Sequence, residues 1–167
     1  CFQHLSQKNY GIGIKACEEG QNIAYGIRLK FPLIENRIIK ANLPLLRKTL
    51  GKSVWGDFSY QPVLARQGKK VTREQRLILA MAGILIEKLQ QSRVLSGLIL
   101  HKENEKIKIE KIRLTDNLNK ELIDCISSLQ KDMQLKAPPP ITSNRKKCTI
   151  CSWKKECDAE AIKKGNL

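Results

Sequence analysis

Carboxylates are scarce where this chain is most basic. Between Arg37 and Arg76 ten Lys and Arg face only Asp57 and Glu74, so that window alone carries +8 (ten minus two). From Asn36 to Arg73 the only carboxylate is Asp57. One carboxylate is a poor magnesium site, so any metal held there needs a second acid, Glu74 or Glu35, supplied by the fold. Long apolar runs are missing too. The longest, Leu77 to Ile86, has ten residues and is too short to span a bilayer. No basic n-region followed by an apolar h-region opens the chain, so nothing points to export, and a cytoplasmic location is expected. Without export, a disulfide framework for the six cysteines is not expected. The chain opens on Cys1 and not on methionine, so a fragment of a longer protein is expected. There is no internal repeat.

At 167 residues one domain is the default, and 41% hydrophobic with 28% charged residues is ordinary for a globular protein. The charge balance is not ordinary. Thirty-one Lys and Arg against 16 Asp and Glu give +15. A field of that sign attracts polyanions and makes their binding salt-dependent. A genome biased towards lysine codons would also raise this count, which leaves a merely solvated basic surface open. With no membrane segment in view, DNA is the expected partner, and Lys69, Lys70, Arg73 and Arg76 are the candidate contacts.

The first seventy residues read as β-rich. Ile23, Tyr25, Ile27, Leu29 and Phe31 alternate as on a strand that Pro32 should close. Arg37 to Thr49 reads as a second strand broken by Pro44, with a turn at Gly51-Lys52 before SVWGDFSYQPVLAR. Gln67 to Lys70 is a turn. The period then changes. Thr72-Arg73-Glu74-Gln75 fits a capping box opening a helix to about Gln91, apolar nearly all round and therefore central. Val94 to Leu100 and Ile107 to Leu114 read as strands. Asp116 to Leu135 reads as a helix with Leu118, Leu122, Ile126 and Leu129 on one face. Lys136 to Asn144, with three consecutive prolines, is a linker. The expected organisation is a core over 1–135, a linker over 136–144 and a cysteine segment over 145–167.

In that last segment Cys148-x2-Cys151-x5-Cys157 sets three thiolates in one tight loop, where they can converge on one metal centre. Thiolates are soft donors suited to zinc or an iron–sulfur cluster. Flanking Arg145, Lys146, Lys147, Lys154 and Lys155 favour the ligating thiolate. Three reduced cysteines beside a loop would show the same spacing. A fourth ligand has to come from Cys1, Cys17, His4, His101 or a cysteine upstream. Cys125 beside the apolar stripe reads as a core thiol, and Cys17 has no special claim.

VWGDFSYQPVLARQGKK, REQRLILAMAGILIEKLQ and PPPITSNRKKCTICSWKKECDAEA together resemble a RecB-like nuclease family common in cyanobacteria, over roughly residues 37 to 167. The C-x2-C-x5-C end is similar to the iron–sulfur staple of such nucleases. The resemblance implies an α/β fold, the PD-(D/E)XK restriction-endonuclease-like core, with a mixed sheet flanked by helices and a cysteine-ligated 4Fe-4S cluster. In that family the first staple cysteine usually lies well before the conserved acids, which puts Cys1 in doubt as its counterpart. It further implies an Asp on one strand, D/E-x-K on the next and a Gln opening the following helix, together binding magnesium. This chain departs from that pattern. Asn42-Leu43-Pro44 stands where the first Asp is expected, and Leu64-Ala65-Arg66 replaces D/E-x-K. Gln75 matches the helix Gln, although a capping box accounts for it equally well. Asp57, Arg66 and Gln75 are the residues left to form any catalytic site, and Asp57 after Gly56 could instead serve a turn. The expectation is a DNA-binding, non-cleaving member, which needs magnesium only if activity survives. A non-enzymatic zinc adaptor is the competing reading, and an absorption spectrum after anaerobic purification separates the two.

Overall fold

The structure, a computed structural model, describes residues 10–34, 37–66, 70–103, 106–134, 148–149 and 151–165. Its architecture is mixed α/β. The chain divides into two compact units, Cys1–Ser127 and Ser128–Leu167. The division falls within a helix and not at the expected linker, whose residues lie outside those described.

The first unit is built on a six-stranded mixed sheet. Its strands, in spatial order, are β1 (Tyr10–Ile12), β2 (Ile23–Tyr25), β5 (Leu45–Ser53), β6 (Gly56–Arg66), β7 (Ser96–Glu103) and β8 (Lys106–Arg113). A separate two-stranded hairpin pairs β3 (Arg28–Ile34) with β4 (Arg37–Asn42). The expected single strand over 22–33 is thus two strands, split at Gly26, whose φ of 67° turns the chain. Pro32 does not close the second of them. It pairs with Ile38, and a register irregularity follows between Pro32 and Ile34, the kind of place where a sheet tolerates a missing N–H. The turn expected at Gly51-Lys52 lies three residues later, at Val54-Trp55, because β5 continues through a bulge between Leu50 and Ser53.

β5 and β6 form an antiparallel hairpin. From β6 the chain crosses through α2 (Arg73–Gln90) to a parallel partner, β7, whose antiparallel neighbour is β8. The predicted capping box is present: Thr72 Oγ1 accepts from Gln75 N at 3.3 Å, and Gln75 Oε1 accepts from Thr72 N at 3.0 Å. Leu79, Leu85 and Ile86 on α2 pack with Leu46, Tyr60 and Ile99 of the sheet, all fully or nearly fully buried. Each such side chain contributes about 1.5–3 kcal/mol of burial. Gly97 shows which face α2 covers: a Cβ there would meet Leu79 at 3.0 Å and Pro62 at 3.2 Å. The far end of α2 is fixed by Gln90, which is fully buried. Its Oε1 accepts from Tyr60 N at 2.8 Å, and its Nε2 donates to Tyr60 O at 3.3 Å and Ser92 O at 3.0 Å. The β6–β7 ladder starts only at Val63, so this amide takes the place of a strand that has not yet arrived.

A short helix, α1 (Gly13–Glu18), was not expected in the β-rich first seventy residues; it carries Ala16 and Cys17 into the core. α3 (Asp116–Gln134) buries Leu122, and Leu118 packs against the core. Cys125, expected in the core, is exposed. It lies three residues from Leu122, at the margin of the apolar stripe, where a helical side chain clears the packed face. In the second unit α4 (Lys154–Lys163) follows the turns at Cys148 and Cys151 and contains Cys157. Among the described residues no helix is long and apolar enough to cross a membrane.

Candidate nucleic-acid interface

The residues proposed for catalysis do not assemble. Asp57 is exposed beside the hairpin turn at the start of β6, and Arg66 ends the same uninterrupted eleven-residue strand. Nine residues at about 3.3 Å each put about 30 Å between them. Gln75 stands at the start of α2 with its amide oxygen engaged in the cap. Leu64 and Arg66, in the positions of an acid and a lysine, both turn inwards: Leu64 packs on the core, and the Arg66 side chain is only 2% exposed. Arg66 Nη1 donates to Lys70 O at 3.0 Å, and Nη2 lies 3.9 Å from Glu110 Oε2. That guanidinium ties the approach to α2 to β8. Leu43, where the first Asp was expected, is buried between β4 and β5.

The basic candidates fare differently. Arg73 and Arg76, one helical turn apart, line a cavity of about 770 Å³ together with Lys111 and Arg113 of β8. Two carboxylates, Glu110 and Glu121, share the lining. Both are engaged: Glu121 bonds Arg73, whose Nη2 also lies 3.8 Å from Cys125 Sγ, and Glu110 faces Arg66. The Glu121 hydrogen bond and charge raise the Arg73 pKa further, so this group is a permanent cation. Lys70 is exposed just before α2, while Lys69 lies outside the described residues.

On the opposite face of the sheet a second cavity, about 310 Å³, was not legible in the sequence. Arg47, Ser59, Gln61, Arg93, Ser96 and Lys111 line it, and among the described residues no carboxylate does. Register puts Arg47 directly across from Gln61. With its amide oxygen turned to Arg47, buried Gln61 accepts from Nε at 3.2 Å and Nη2 at 2.8 Å. A neutral partner orients this guanidinium without cancelling its charge. Arg93, by contrast, shares its charge with Asp116 at 3.1 Å.

The cysteine segment folds as turns that lead into α4, so Cys157 lies in the first turn of that helix and not in the expected loop. Cys151 N donates to Cys148 O at 3.3 Å, Lys154 N to Cys151 O at 3.3 Å, and Cys157 N to Trp153 O at 3.1 Å. All three thiols are free, and Cys151 and Cys157 are exposed. The donor chemistry suits a soft metal, yet among the described residues no three His, Cys, Asp or Glu are gathered to hold an ion. As placed, these thiols do not close a site. Cys1 and His4 lie outside the described residues. Cys17 is a poor fourth donor: it is fully buried, and burial, with Glu18 adding to it, pushes its thiol up to about 12, the protonated form. His101 sits in β7 opposite Lys108, with a buried Nδ1 that has no hydrogen-bond partner among the described residues.

No protein-family model matches the chain, and no curated protein matches it.

Proposed function

We propose that the chain is a RecB-like, PD-(D/E)XK-type module that binds DNA through its phosphates and does not cut it. The cavity beside the start of α2 carries this reading. Its four cations, Arg73, Arg76, Lys111 and Arg113, face two carboxylates that are already engaged by arginines. Such a lining attracts a phosphodiester and leaves no carboxylate pair to hold magnesium beside it. The order of β5, β6 and α2 supports the family reading, because it is the strand–strand–helix order in which that family sets its acids, lysine and glutamine. Here Asn42-Leu43-Pro44, just before β5, and Leu64 stand in place of the acids, Arg66 stands in place of the lysine, and Gln75 matches the glutamine. Arginine stays protonated and presents a broad planar fork, so it is no substitute for a lysine beside a nucleophilic water. Phosphate contact needs only the cations and outlives that loss. The cysteine segment belongs to the same reading as the holder of a 4Fe-4S cluster or zinc, supported by the C-x2-C-x5-C spacing and its successive turns.

The test uses the full chain with labelled DNA, following binding as salt rises from about 50 to 200 mM and cleavage with magnesium or manganese present. Affinity should fall steeply with salt, and charge reversal at Lys69 and Lys70 should weaken binding to every sequence alike. No product should form. Affinity that stays flat across that range overturns the binding reading. Robust cleavage abolished by Asp57→Ala overturns the non-cleaving one.

A further inference from the structure

We infer that the bound polyanion runs over the β8 edge of the sheet, from the cavity beside α2 to the groove on the opposite face, and is therefore a single strand rather than a duplex or a small anion. The inference rests on the phosphate-binding reading above.

Three observations support this path. First, the two cavities lie on opposite faces. Gly97 faces α2, so its neighbours Ser96 and Leu98 face away, as do Ser59 and Gln61. Second, Lys111 lines both cavities. It is exposed on β8, the last strand of the sheet, and so joins the two basic surfaces around the edge. Third, the far end of the path is a cation held ready. Arg47 is oriented by the neutral amide of Gln61 and keeps its charge for a ligand from outside.

The dimensions choose the ligand. From β5 to β8 there are three strand spacings, about 14 Å, and rounding the edge to the helical layer adds about 10 Å. A strand with one phosphate per about 3.4 Å covers that path with about seven or eight nucleotides. A duplex with a persistence length of about 150 base pairs does not fold around an edge so thin. Tyr60 is the aromatic residue lining the groove, and it is 1% exposed, so bases find no stacking platform there. Affinity then comes from phosphates and tolerates any sequence.

The experiment measures binding of the full chain to single strands of about 4, 8 and 16 nucleotides and to a 16-base-pair duplex, across a salt series. The longest single strand should bind at least about tenfold tighter than the shortest, and tighter than the duplex. Arg47→Gln and Arg76→Gln, altered on opposite faces, should each weaken the long strand several-fold and reduce the salt slope by about 0.7. Lys111→Glu, at an exposed edge position that leaves the fold intact, should weaken it at least as much. If Arg76→Gln and Lys111→Glu weaken binding while Arg47→Gln leaves affinity and slope unchanged, the edge path is wrong and the reading above stands. A duplex that binds as tightly as the single strand also overturns the path. No salt-dependent binding to any probe overturns both.

Discussion

Gln90→Met tests the packing logic of the first unit most directly. The substitution keeps the side chain's length and approximate volume and removes only its amide. Tyr60 N–H and Tyr60 C=O, both buried, lose their partners, and Ser92 C=O loses one that lies nearer to solvent. Leaving a buried backbone group unpaired costs about 1–3 kcal/mol. Counting the two Tyr60 groups and discounting Ser92, which water can reach, gives about 2–6 kcal/mol. That is a large share of the roughly 5–15 kcal/mol holding a typical domain together. For a chain of this size, 1 kcal/mol moves the melting temperature by about 2–4 °C, so the expected drop is about 4–24 °C. Thermal melts followed by circular dichroism read it. The neighbouring residue is the control: Gln91 is exposed with a left-handed φ of 50°, so Gln91→Gly should leave the melt unchanged or raise it slightly. If Gln90→Met melts within about 2 °C of the unaltered chain, the amide is not standing in for a strand and the reasoning fails.

Two further outcomes follow from the buried and the clustered thiols. Burial lifts the Cys17 thiol from 9.0 to about 12 and raises the Tyr60 hydroxyl in the same direction. Above pH 9.0 the unfolded chain gives up the Cys17 proton while the folded chain keeps it, so stability falls as pH climbs towards about 12 and is unaffected by this group at neutral pH. Denaturant melts at rising pH should show that decline, and Cys17→Ala, less stable at neutral pH, should lose part of it; an identical pH profile in the variant refutes the assignment. In the second unit Cys151→Ser should lose bound metal, read by elemental analysis and by the visible spectrum of anaerobically purified protein. Visible sulfur-to-iron bands favour the cluster and stoichiometric zinc favours the adaptor reading, whereas unchanged metal content in the variant removes the cysteines from metal binding.

What the sequence disclosed depended on how local each signal was. The change of period at Thr72 and the Thr72–Gln75 box placed α2 almost to the residue, because a cap is decided within four residues. The strands of the β5–β6 hairpin were legible from alternation and from Pro44, but their turn was displaced because Gly51 serves a bulge, with φ 144°. α1 was missed because six residues opened by Gly13 and closed just before Gly20 carry too little periodicity to register. Arg73 and Arg76 were named from charge alone, and both reached a common cavity. The groove on the other face had no local signal. Arg47, Gln61 and Ser96 meet there only through β5–β6 pairing and the α2 crossover, and neither operation leaves a mark on a window of sequence. Asp57 failed for the same reason in reverse. Near Arg66 in sequence, it is carried a full strand length away.

β8 ends the sheet, and an end strand offers unpaired backbone groups to any other strand that comes near. Along it exposed Ile107 and Ile109 alternate with Lys106 and Lys108, and Lys111 follows after Glu110, a pattern adhesive in its side chains and repellent in its charge. Two copies brought edge to edge would set lysines against lysines, which keeps such sheets from joining into larger ones. That protection is electrostatic and therefore conditional. Whatever neutralises the lysines, whether strong salt or a phosphate chain laid across them, also removes the barrier between one molecule's β8 and the next. The colloidal stability of the protein and its hold on a polyanion thus draw on the same row of charges.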